Sequence, residues 1–188
     1  MTQQLTADDR RAREERAREL RAVLADREVV AVATSFVDNS GISRVKAVPL
    51  DRLPQLAAWG VGFSTSFDYF RFDDWVAAPA SGRGPVGDQR IVPDLSRLVV
   101  LAAQPGWAWA PGARFAQDGA AYAHDSRLLL GRQVAALAER GLEVRTAVEI
   151  EWVVSAGDGD AFTPAVGGSA YGLSRLGDAA ALMAGGDG

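Results

Sequence analysis

The chain opens on polar and charged positions that gather into a helical pattern over residues 5–26. Thr6 stands where an N-cap belongs, Asp9 three residues on completes a capping box, and acids lead the first turn. Apolar residues are confined to the end of this stretch, where Leu20, Val23 and Leu24 make a short stripe. The interleaved Arg10, Arg11, Glu14, Glu15, Arg18 and Glu19 read as a solvated, salt-bridged face. Such a helix either lies against the body or serves as a docking arm. The period then changes. Residues 28–37 are rich in Val and Ala and predict a strand, Asp38, Asn39, Ser40 and Gly41 predict a turn, and residues 42–48 complete a hairpin. A short helix follows from Asp51 through Trp59, with Gly60 as its stop. Strand-like pieces lie at 90–92, 98–102, 107–110 and 113–115, and the stretch 77–88, rich in Gly, Pro and small residues, predicts a long loop before them. An amphipathic helix is predicted over 126–140, capped by Asp125 and closed by Gly141, and residues 143–154 predict a long strand. The glycine-rich end gives no clear pattern.

This order suits an α+β class in which a helix packs on one face of a sheet, and a β-grasp arrangement is one such fold. Composition adds exclusions. With 48% hydrophobic residues in 188, the chain can bury a core and is not expected to be disordered. A net charge of −4 argues against a general nucleic-acid binder. The absence of cysteine removes disulfides and thiolate metal sites and fits a reducing cytoplasm. Residues 1–13 are too polar for a signal peptide, and no apolar run approaches the roughly 20 residues needed to span a bilayer.

The sharpest chemical pattern is Glu149-Ile150-Glu151-Trp152. On a strand, Glu149 and Glu151 share a face with Cα atoms roughly 6.5 Å apart, and paired carboxylates suit a hard divalent cation. A polar edge strand is the plainer reading. Arg44 and Lys46 share a face of the second hairpin strand, where they could engage phosphate or an acidic neighbour, or simply cover the sheet with their stems. His124, the only histidine, precedes a helix cap and lacks the partners of a catalytic triad. Gly82, Gly84 and Gly87 lack the strand–glycine–helix context of a nucleotide loop. Trp107 and Trp109 alternate with alanine and read as core or interface packing.

Several stretches, in order, resemble glutamine synthetases. The hairpin from Phe36 to Lys46, ending at Val48-Pro49, resembles that family's opening strands. Gly60-Val61-Gly62-Phe63-Ser64-Thr65-Ser66 falls where the family carries Gly-x-x-Phe-Asp-Gly-Ser-Ser, and Gly87-Asp88-Gln89-Arg90 with Pro93-Asp94 resembles its Asp…Pro-Asp segment. His124-Asp125-Ser126-Arg127 stands in for its Asp-Pro-Arg and Glu149-Ile150-Glu151 for its Glu-x-Glu strand. Pro164 with Ala170-Tyr171-Gly172 resembles the family's next segment after that strand. The resemblance implies an N-terminal helix over residues 1–27, a β-grasp-like domain over 28–120, and the beginning of a catalytic domain over 121–188. It implies ATP-dependent joining of glutamate to ammonia or another amine through γ-glutamyl phosphate. Glu149 and Glu151 would be ligands of Mg2+ or Mn2+, and Ser64 and Ser66 would line the amine site.

Two departures qualify that expectation. Ser64 replaces the aspartate that helps bind and deprotonate ammonium, which points to a different amine or to no activity. Complete members of the family run more than twice this length, so the chain by itself is expected to make no amide. A homo-oligomer, or co-assembly with a full-length homologue as a non-catalytic module, is the expected association. An unrelated α+β binding protein is the third reading.

Overall fold

Thr6 caps the first helix as its sequence predicts: its Oγ1 accepts from the Asp9 N–H at 3.1 Å, and Asp9 accepts in return from the Thr6 N–H at 2.9 Å. The computed structural model describes residues 4–77, 87–151, 153–157, 159, 161–169, 172, 173, 175 and 180. They fall into two compact units, residues 1–144 and 145–188. In the first unit, helix α1 (Ala7–Ala25) lies against the body: Ala17 and Leu24 are buried, whereas Val23 is exposed. Arg13 Nε donates to the Ala57 carbonyl at 2.8 Å and Arg10 Nη1 to that of Ala58 at 2.7 Å, tying α1 to helix α2 (Leu53–Trp59). Leu53 and Leu56 of α2 are buried in the same cluster, each contributing about 2 kcal/mol of hydrophobic stabilisation. Gly60 ends α2 at φ +66°, and a Cβ there would stand 2.7 Å from the Ile91 carbonyl oxygen, so glycine is required twice over.

The strands are β1 (Ala31–Val37), β2 (Ser43–Pro49), β3 (Val61–Ser64), β4 (Asp88–Pro93), β5 (Val99–Val100) and β6 (Trp107–Phe115). Their order is β2-β1-β6-β4-β3, with β5 also pairing β6. Only β1 and β6 run parallel among these pairs, which makes a mixed α+β sheet of β-grasp type. The first and last strands of that order nevertheless meet. Lys46 Nζ on β2 donates to the Gly62 carbonyl on β3 at 2.7 Å, and the Phe36 ring of β1 stands edge-on to Phe63 of β3 at 4.9 Å. The sheet therefore curls into a nearly closed barrel, with Phe36, Phe63 and Ile91 buried together. Helix α3 (Ser126–Ala138) follows, capped by Asp125, and buries Leu128 against Leu5, Val92, Ala113 and Phe115. Among the described residues no helix is long and apolar enough to cross a membrane.

The structure corrects three expectations. The pieces at 107–110 and 113–115 are one strand, β6: Ala110 and Pro111 fall where its edge changes partner, between the β5 ladder ending at Trp109 and the β4 ladder beginning at Gly112. The strand read over 98–102 shrinks to Val99–Val100. Residues 143–151 form no strand. Their alternating Val and Glu fit a pleated surface, but strand propensity is realised only where a partner supplies the ladder, and no named strand pairs with them. Trp152, the other end of that pattern, lies outside the described residues, as do residues 78–86 of the predicted loop with Gly82 and Gly84.

Candidate functional site

Ser64 ends β3 and caps the 3-10 turn Thr65–Tyr69. Its Oγ accepts from the Ser66 N–H at 3.2 Å and from the Ser66 hydroxyl at 2.8 Å, so the two serines singled out in the sequence are held together. Gln89 Nε2 donates to the Ser64 carbonyl at 3.2 Å. The turn is pinned from two further sides. From the β1–β2 hairpin, Asn39 Nδ2 donates to the Asp68 carbonyl and Ser40 Oγ to that of Phe70, both at 2.9 Å. From β6, the Arg114 guanidinium bonds the Asp68 carboxylate, whose other oxygen accepts from the Tyr122 hydroxyl.

Arg114 is the centre of this arrangement and is 1% exposed. Its Nε donates to Asp125 Oδ2 at 3.1 Å, a second nitrogen donates to the His124 carbonyl, and Asp125 Oδ1 accepts from the Leu128 N–H at 2.6 Å to cap α3. One buried cation thus joins the Ser64–Ser66 turn to the start of α3. Its plane lies over the Phe36 ring at 4.6 Å. From Phe36 an aromatic row continues through Phe63, Phe67 and Phe70, with successive centroids 4.9, 4.4 and 4.7 Å apart. Arg44 and Lys46 sit over this row, at 5.2 Å from Phe67 and from Phe63 respectively. Arg44 also bonds Asp38 at 2.7 Å and Asp74, so it engages acidic neighbours while its stem covers the rings. His124 is exposed, its ring beside Tyr122 at 5.7 Å.

Burial works against the charge on Asp38, but hydrogen bonds from Arg44 and from the Ile42 and Ser40 N–H groups outweigh it and hold the carboxyl below its ordinary pKa. Burial first, and the neighbouring Asp68 second, push the Tyr122 phenol well above its ordinary value, so it stays a proton donor to Asp68. The lowered Asp38 pKa fixes the sign of an acid response. Its contribution to stability is complete above the unfolded carboxylate pKa of about 3.9 and is lost as pH falls through the lower folded value. Thermal midpoints followed from pH 5 to pH 2 should therefore fall, and Asp38→Asn should flatten part of that slope. An unchanged slope in the variant would remove Asp38 from the account.

Arg114, Asp68 and Tyr122 were not singled out in the sequence. The usable signal was an arginine inside the otherwise uncharged run Trp107–Phe115, since a charge in a core strand must be paired. Glu149 and Glu151 lie in the second unit, both exposed and in irregular backbone. The shared-face geometry expected of a strand is therefore not what relates them. Their donor chemistry does fit a hard divalent cation, and they would supply carboxylate oxygens to Mg2+ or Mn2+. They offer two ligands where magnesium takes about six, and among the described residues no group of three or more His, Asp or Glu side chains is placed to hold a metal ion. Ala170 and Tyr171 lie outside the described residues.

No family model matches the chain. It is 51% identical over 164 residues to the γ-glutamylpolyamine synthetase GlnA3 of Streptomyces coelicolor (strain ATCC BAA-471 / A3(2) / M145), covering 86% of this chain and 35% of that protein. It is 30% identical over 142 residues to the glutamine synthetase of Rhizobium leguminosarum bv. phaseoli, covering 75% and 30%. The chain belongs to the glutamine synthetase family. The chain spans about a third of the length of these curated relatives. Among solved structures, a crystal structure of a novel glutamine synthase homologue superposes with a TM-score of 0.53 at 26% identity, covering 60% of this chain and 27% of that one. The GmaS/ADP complex, at 23% identity and a TM-score of 0.52, shares the fold over 64% of this chain and 26% of its own. The glutamine synthetase resemblance of the opening hairpin and of the Gly60–Ser66 segment thus falls on β1, β2 and β3, which build the serine turn.

Proposed function

We propose that this chain supplies the N-terminal part of an ATP-dependent ligase that joins glutamate to a linear polyamine. The observation that carries the reading is the 51% identity over 164 residues to a γ-glutamylpolyamine synthetase. Ser64 supports it chemically. A neutral hydroxyl accepts a hydrogen bond from an amine but neither offsets the charge of ammonium nor acts as its base at neutral pH. In the proposed reaction the γ-phosphoryl group of ATP passes to the glutamate side-chain carboxylate, releasing ADP. The amine nitrogen then attacks the acyl carbon, phosphate leaves, and the nitrogen loses a proton. A divalent cation held in part by Glu149 and Glu151 would neutralise charge on the transferring phosphate. The Ser64–Ser66 turn, fixed by Asn39, Ser40 and Arg114, would present its hydroxyls to the incoming amine.

The test is a hybrid in which this chain replaces the matching 164 residues of the Streptomyces coelicolor relative. The folded hybrid is expected to release phosphate with polyamine far more readily than with ammonium. Ser64→Asp is expected to move kcat/KM toward ammonium by about tenfold, the effect of one added charged hydrogen bond. A folded hybrid that prefers ammonium with Ser64 in place would sink the reading.

A further inference from the structure

A linear polyamine carries more than one positive charge, and only one nitrogen reacts. The reacting nitrogen must be neutral when it attacks, while a second nitrogen stays an ammonium and needs a carboxylate at a fixed distance. Around the serine turn most acids are already neutralised. Asp68 bonds Arg114 and Tyr122, Asp73 bonds Arg71, and Asp38 and Asp74 share Arg44. Asp88 differs. It is exposed and has no ion pair or hydrogen-bonding side-chain partner among the described residues. It is also the direct cross-strand partner of Ser64 in the antiparallel β3–β4 pair.

That register decides the geometry. Cross-strand partners point to the same side of a sheet with Cβ atoms about 5 Å apart, so Ser64 and Asp88 project together, a short methylene chain's span from one another. Gly62, paired with Arg90, lies on the same face. A Cβ at Gly62 would stand 3.0 Å from Asp88 Oδ2 and 3.6 Å from Arg90 Nη1, so the missing side chain leaves room for the carboxylate over β3, with the Arg90 guanidinium on the same face. Arg90 and Lys46 also lie along this stretch, and they repel any ammonium brought there, so the contact with Asp88 has to outweigh them.

We propose that Asp88 is the specificity determinant that holds the distal ammonium of a linear polyamine while Ser64 faces the reacting nitrogen. The inference rests on the ligase reading above. The first measurement is an NMR titration of the 188-residue chain with spermidine, with butylamine as the single-charge control. Saturable shifts at the Ser64 and Asp88 amides are expected with spermidine and not with butylamine. Asp88→Asn should weaken spermidine at least about threefold, the scale of one partly exposed ion pair, and Asp88→Glu should restore most of it. Because Asp88 is exposed, the asparagine variant is expected to keep its fold, checked in the same spectra. Binding that is unchanged in Asp88→Asn, equal shifts with butylamine, or no shift at all each overturns the assignment. Polyamine turnover by the hybrid would still stand in those cases. A hybrid inactive with polyamines beside intact Asp88-dependent binding would overturn the ligase reading instead.

Discussion

Arg114→Met is expected to lower the stability of the first unit by about 3 kcal/mol, because it leaves Asp68 and Asp125 buried without their cation. Those carboxylates are 8% and 2% exposed, so water cannot replace the guanidinium. The loss sits at the low end for a broken buried pair because both acids keep other donors. Asp68 retains the Tyr122 hydroxyl, and Asp125 retains the Leu128 N–H and the backbone N–H of residue 114. Methionine fills much of the stem's volume, so the loss reports charge rather than a cavity. Urea unfolding of the wild type and the variant gives the number directly. The double variant Asp68→Asn/Arg114→Met separates the two causes: if the isolated carboxylate is the problem, neutralising it recovers part of the loss. An unchanged midpoint in Arg114→Met would show that the network contributes no net stability. The same bonds carry a consequence for function. With Arg114 gone, the Ser64–Ser66 turn loses its tie to α3 and keeps the hairpin anchors from Asn39 and Ser40, the Gln89 bond to Ser64 and the Tyr122 bond to Asp68.

Local chemistry was the most legible part of the sequence. The Thr6–Asp9 capping box, the Asp125 cap, the Gly60 stop and the β1–β2 hairpin depend on neighbours within a few residues, and such signals survive whatever the rest of the chain does. Long-range pairing was harder. Whether Pro111 splits a strand depends on which partner lies along each edge of β6, and those partners, β1 and β4, come from distant parts of the chain. Residues 143–151 show the reverse error, a strand pattern with no ladder to join. The serine pair was reached only through the glutamine synthetase loop that the segment resembles, and in the structure Ser64 caps the turn after β3. Arg114 was invisible as a site residue because its partners, Asp68, Tyr122 and Asp125, come from separate segments that only the curled sheet brings together.

Removing either acid of the Glu149-Ile150-Glu151 segment is expected to cost the hybrid ligase about 100-fold or more in kcat, the rate equivalent of the several kcal/mol that a bound cation supplies to a transferring phosphoryl group. Both side chains are exposed, so Glu149→Ala and Glu151→Ala remove no core contact, and a loss of activity without a loss of fold is attributable to their oxygens. The measurement is phosphate release at saturating ATP, glutamate and polyamine across a range of Mn2+ concentrations. A ligand role predicts that the Mn2+ dependence moves to higher concentration in each variant, and that Glu→Gln, which keeps shape but not charge, behaves like Glu→Ala. A rate that falls with no change in Mn2+ dependence would assign the pair a different role, and an unchanged rate would remove it from the site. The 188 residues by themselves are the control. Two carboxylates cannot by themselves fix two metal ions, nor hold ATP and glutamate in place, so the isolated chain is expected to release no phosphate from ATP. Phosphate release by the isolated chain that Glu151→Ala abolishes would mean that the chain completes a metal site from its own residues.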